Sequence, residues 1–237
     1  MNSFYIYLSL LSVVLLSACS FIKADATDPS SEASASKEKS YEVMNKKETE
    51  KLTEYEISID YPQTPNDQIN QSIIDYVNQM KDSFKKISYE ANSNEKHNLN
   101  TNYNVLYEDE HIFVVKFTGK IDTGDDSPKE IQEVLNFDKS KGKRLNLEHI
   151  FSEDNDYLLK LTKLANKEAN GFDNLTVNSK SLRNLALKGD RVEIHLTKEE
   201  QENLQFDSDR IKISKADLEG MISSRYTEVH NSWVEEK

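Results

Sequence analysis

Residues 55–87 read YEISIDYPQTPNDQINQSIIDYVNQMKDSFKKI, and they contain a change of period that decides the fold. Tyr55, Ile57, Ile59 and Tyr61 alternate with Glu56, Ser58 and Asp60, the mark of a half-buried strand. Pro62 and Pro65 end it. Ile69, Ile73, Tyr76, Val77, Met80, Phe84 and Ile87 then recur at helical spacing on one face, with Asn66 or Thr64 as the cap.

Working toward the C-terminus, residues 92–100 read as a polar loop. Tyr103, Val105 and Tyr107 alternate, as do Phe113, Val115 and Phe117, and Asp109-Glu110 between them predicts a β-hairpin. A loop from Asp122 to Pro128 leads to a strand around Ile131 to Phe137, and Lys141-Gly142-Lys143 is a turn. A second half begins at Leu145. It holds a helix carrying Tyr157, Leu158, Leu161, Leu164 and Ala165, with Ser152 as its expected cap. A hairpin follows about Lys188-Gly189-Asp190, then a short excursion over residues 197–204 and a strand through Ile211 and Ile213. Ser214 is the expected cap of a helix containing Leu218, Met221 and Ile222. Strands and helices do not alternate strictly. The order predicts the α+β class: antiparallel sheets with helices packed on one side, in two consecutive subdomains over residues 52–138 and 139–223, then a polar tail over 224–237.

Toward the N-terminus, residues 19–51 are rich in Ser, Ala, Lys and Glu and read as a flexible tether. Before it stands the apolar run FYIYLSLLSVVLL, Phe4 to Leu16, of signal-peptide length and short for a membrane span, which needs roughly 20 residues. It closes on Leu16-Ser17-Ala18-Cys19, which resembles a bacterial lipobox: a branched apolar residue, two small residues for the peptidase, and a thiol that takes the lipid. The n-region, Met1-Asn2-Ser3, lacks the usual Lys or Arg. The expectation is removal of residues 1–18, lipidation of Cys19, and attachment to the outer face of the cell membrane, where two acyl chains hold stably and one does not.

The 237 residues carry a formal net charge of −12, which repels nucleic acid and favours a basic partner, besides aiding solubility. The single cysteine, Cys19, rules out an internal disulfide. The five histidines, His97, His111, His149, His195 and His230, include no pair three to five residues apart, so no local metal motif is present. Nucleophile elbows and phosphate-binding glycine loops are absent from the sequence, and no cofactor or metal is expected. Asp122, Gly124, Asp125, Asp126, Ser127 and Pro128 form an acidic turn without the ligand spacing of an EF-hand. A solvated loop is one reading of it; a partner-binding loop is the functional one.

Several segments resemble the extracellular domain shared by the anti-sigma-V factor RsiV and the peptidoglycan deacetylase PdaC. They are Tyr55 to Pro62 followed by Asn70, Ile73 and Val77; Leu135-Asn136-Phe137-Asp138; Lys141 to Leu145 followed by Leu147, Ile150 and Phe151; and Ile213 to Leu218. The resemblance spans about Leu52 to Ile222. It implies an extracytoplasmic α+β module, which in RsiV binds lysozyme and in PdaC precedes a catalytic domain. The deacetylase motifs Thr-Phe-Asp-Asp and His-x-x-x-His do not occur here. Two loops depart from the family pattern: Gly124 to Pro128 lacks a His-Pro ending, and Leu196 to Gln201 lacks a Tyr-x-x-Ala-Pro segment. The expected function is a non-catalytic binding module for a cell-wall-associated or host ligand, a basic protein such as lysozyme, or peptidoglycan. The rival expectations are a structural accessory lipoprotein of an envelope complex and a hydrolase with a carboxylate site.

Overall fold

In the computed structural model the described residues are 41–124, 127–152, 156–168, 181–230, 232 and 234. The lipobox residues Leu16, Ser17, Ala18 and Cys19 lie outside them, as do Asp125, Asp126 and Trp233.

The period change at residues 55–87 becomes strand β2 (Tyr55–Gln63) and helix α1 (Asp67–Glu90). Asn66 is the cap: its side-chain oxygen accepts from the N–H groups of Gln68 and Ile69 at 3.0 and 3.1 Å, worth about 1 kcal/mol. Thr64 helps from outside the helix, bonded through its backbone N–H and hydroxyl to Asn70 Oδ1. The apolar stripe of α1 is buried from Ile69 to Phe84.

Helix α1 crosses over between β2 and a parallel neighbour, β3 (His97–Glu108). The large sheet is therefore mixed, because a parallel partner needs a crossover and α1 supplies it. The reading of residues 92–100 as loop is corrected here. Asparagines at 98 and 100 hide an alternation in which His97, Leu99 and Thr101 point inward. His97 is accommodated by Ser88, whose Oγ lies 2.6 Å from its Nδ1. The tether boundary is also corrected. Met44–Lys51 form β1, antiparallel to β2 along its length, so order begins well before Leu52. The stretch gave no signal because most of its residues are exposed; β2, and not a buried face, holds it in place.

The hairpin about Asp109 joins β3 to β4 (Ile112–Asp122), which pairs with β5 (Lys129–Asp138) and that with the short β6 (Lys143–Leu145). Gly142 turns with φ +60°, and a Cβ there would meet the Gln68 side chain at 2.3 Å, so this turn rests on the start of α1. Asn66 Nδ2 also donates to Lys139 O at 3.0 Å. After α2 (Leu147–Ile150) and α3 (Tyr157–Glu168) comes a three-stranded antiparallel sheet, β7 (Leu185–Leu187), β8 (Arg191–His195) and β9 (Arg210–Ser214), with α4 (Lys198–Leu204) between β8 and β9. The Ser214 cap leads only into a one-turn 3₁₀ segment, Lys215–Leu218, shorter than the expected helix.

Two cores result, and the class is α+β. One face of the large sheet, with Phe113, Phe117, Leu135 and Phe137, is buried under α1. Residues of its other face, Val114 and Val134, share a second core with the small sheet, Leu161 and Ala165 of α3, and Tyr226. The first sheet closes at Leu145, so the boundary expected at 138/139 falls inside it.

Candidate functional site

Strand β5 is paired with β4 throughout, but β6 covers only Asn136, Phe137 and Asp138 on its other side. Among the described residues no strand pairs with that side of 129–135. This free edge runs along a cleft of about 740 Å³. Helix α1 supplies Tyr76 and Met80 to the cleft, β5 supplies Ile131, Glu133 and Val134, and the far wall is Leu147, Tyr157 and Leu182. The walls are mainly apolar with charges at intervals, the composition of a binding site. Arg144 donates to Glu133 Oε1 at 2.7 Å and so fixes one carboxylate on the rim. Burial, with Glu133 adding to it, pushes the Tyr76 hydroxyl far above its usual pKa, so Tyr76 enters any contact as a neutral phenol.

The described residues of the acidic turn expected to bind a partner, Asp122, Gly124, Ser127 and Pro128, lie between the end of β4 and the start of β5. Asp122 closes β4, and its carboxylate accepts from the Gly124 N–H at 3.0 Å. Gly124 has φ +73°, and a Cβ there would come within 2.5 Å of Ser93 Oγ, so glycine is required. Ser127 and Pro128 are exposed and lead directly into the free edge at Lys129. The sequence pointed to this turn through its carboxylates. The edge beside it was not visible, because the shortness of β6 is a property of pairing.

Two buried charge clusters have a different character. Glu193 on β8 is completely buried, as is His195 apart from 1%. Burial pushes the Glu193 pKa up, but His195, Arg191 at 2.7 Å and Lys188 at 3.0 Å outweigh it and hold the carboxyl ionised far into acid. Burial lowers the His195 pKa, with Glu193 opposing, and also lowers that of Lys116, whose Nζ lies 3.4 Å from His195 Nδ1. A carboxylate committed to two cations and a buried histidine, and closed to solvent, braces the small sheet, and Lys116 beside His195 ties that cluster to β4; it has no route to a substrate. Asp138, the last residue of β5, accepts from Arg225 Nε at 2.7 Å and from the Tyr226 hydroxyl at 3.1 Å, which fastens the segment after Ile222.

The histidines missed as a group are His111 and His230. No sequence spacing joins them, yet their rings pack edge to face with centroids 4.8 Å apart, beside Glu110.

The sequence matches no protein-family model and no curated protein. Among solved structures, the fold is similar to a DUF3298 family protein from Pseudomonas aeruginosa, with a TM-score of 0.60 at 10% identity over 81% of this chain and 98% of that one. A member of the same family from Bacteroides fragilis aligns over 78% of this chain and 93% of that one, with a TM-score of 0.46 at 14% identity. The Pseudomonas likeness extends the α+β fold over nearly the whole of that protein.

Proposed function

We propose that this chain is a non-catalytic, membrane-tethered binding module of the RsiV and PdaC type, acting outside the cytosol on a basic protein ligand. Lysozyme is the most concrete candidate. The observation that carries the reading is the edge of β5 at residues 129–135, which no strand among the described residues covers, beside a mainly apolar cleft. An extended segment of a partner adds to such an edge through backbone hydrogen bonds, while side chains entering the cleft give selectivity. The acidic turn at Asp122 and the net charge of −12 favour a basic partner. The DUF3298-like fold agrees with the sequence resemblance, and the run before Cys19 supplies the anchor. Against catalysis, Glu133 in the cleft is committed to Arg144, and the buried Glu193 cluster is closed.

Calorimetric titration of the full chain with lysozyme tests the proposal. The expected result is saturable binding at low salt that weakens as ionic strength rises, with Ile131→Lys lowering affinity at least tenfold. No heat at low salt removes lysozyme as the ligand. Undiminished binding by the Ile131 variant removes the cleft.

A further inference from the structure

We propose that Glu110, His111 and His230 form a binding site for a borderline divalent metal ion such as Zn²⁺, and that the ion clasps the C-terminal segment to the β3–β4 turn. One donor atom from each residue can be chosen so that all lie within 4.8 Å of one another. His111 Nε2 is 3.0 Å and His230 Nδ1 is 3.7 Å from the same carboxylate oxygen, Glu110 Oε1. Donors bound at 2.0–2.1 Å around a tetrahedral ion sit about 3.4 Å apart, so side-chain rotation alone brings these three into place. Two imidazoles and one carboxylate suit zinc and its neighbours; magnesium and calcium prefer oxygen alone.

The surroundings are built for this geometry. Asp109 Oδ1 accepts from the N–H groups of His111 and Ile112 at 2.7 and 2.6 Å, which fixes the turn. The Tyr107 hydroxyl lies 2.7 Å from Asp109 Oδ2 and 2.8 Å from His230 O, sharing its proton between turn and tail. A Cβ on Gly189 would fall 1.9 Å from His230 O, so only glycine lets the tail backbone lie there. Lys215 Nζ donates to Glu228 O at 3.3 Å. When His230 binds through Nδ1, its Nε2 lies 3.4 Å from Glu228 Oε2, and a small rotation of Glu228 would complete the carboxylate–histidine–metal arrangement that sets ring orientation and ligand basicity. His111 remains 45% exposed, so an ion has a path in, and three protein ligands leave one position for water.

The test is titration of the untagged, chelator-stripped full chain in detergent, carrying Cys19→Ser to remove its only thiol. One Zn²⁺ per chain is expected, with no uptake of Mg²⁺ under the same conditions. His111→Ala and His230→Ala should each weaken Zn²⁺ binding at least tenfold, and Glu228→Gln by about tenfold. Absence of uptake, or undiminished uptake in both histidine variants, overturns the site. If a variant fails to fold, Co²⁺ added to the parent decides. The intense visible absorption of a tetrahedral histidine-bound ion supports the site, and the weak spectrum of hydrated cobalt overturns it.

Discussion

Asp138 is one of the least exposed carboxylates among the described residues, and it ties the end of β5 to the Ser140–Lys141 turn and to Arg225 and Tyr226. Burial raises its pKa, but Arg225, Ser140, the Lys141 N–H and Tyr226 together outweigh burial and place the value well below the usual carboxylate range. A depressed carboxyl pKa stabilises the folded state fully above the unfolded value of about 3.9 and loses that contribution as pH falls toward the folded value. Arg225→Ala should cost about 1–3 kcal/mol at neutral pH, since the guanidinium is partly exposed and screened. The gap in thermal midpoint between parent and variant should be full at neutral pH and narrow in acid as Asp138 of the folded variant takes up its proton before that of the parent; a gap that stays constant to the lowest pH at which both proteins fold would contradict the ion-pair account. Burial, with Asp138 adding to it and Arg225 opposing, pushes the Tyr226 pKa up to about 12, so its hydroxyl stays protonated as donor to Asp138. Gly142 is a second single-residue control point. Its φ of +60° and the Gln68 side chain beside it make Gly142→Ala strained twice over, with an expected loss of about 1–2 kcal/mol in chemical denaturation.

At the scale of elements, legibility followed local patterning. Strand β2, helix α1 with its Asn66 cap, the Asp109 hairpin and the Gly189 hairpin were all readable, because each carries its own periodicity or turn chemistry. Strand β1 was not, because its neighbour and not its composition makes it a strand. The start of β3 was hidden by asparagines on its exposed face, and the parallel pairing of β2 with β3 is a relation between segments on either side of a 24-residue helix. The candidate site divides in the same way. The acidic turn was legible as residues, while the free β5 edge and the approach of His111 to His230 exist only in three dimensions. Strand β1 gives the sharpest test at this scale. Removing residues 1–51 uncovers the edge of β2, so that fragment should melt lower and aggregate more readily than one beginning at residue 41. Equal melting of the two fragments would mean that β1 adds nothing to the sheet.

For the whole molecule, layering explains how a very polar chain keeps its order without disulfides. Helix α1, the large sheet and the small sheet enclose two cores, and ionised groups buried between the sheets have their counter-ions at hydrogen-bonding distance. Among the described residues no helix is long and apolar enough to cross a membrane. Membrane attachment is proposed through Cys19 on the strength of the Leu16-Ser17-Ala18-Cys19 motif, and the β5 edge is proposed as the docking feature of the folded unit. Amide hydrogen exchange of the full chain, with and without lysozyme at low salt, tests that claim most directly. Slowed exchange confined to residues 129–135 and the adjoining cleft is the expected result. Saturating lysozyme that leaves those amides unchanged, or protects only the opposite edge at β1, would contradict it.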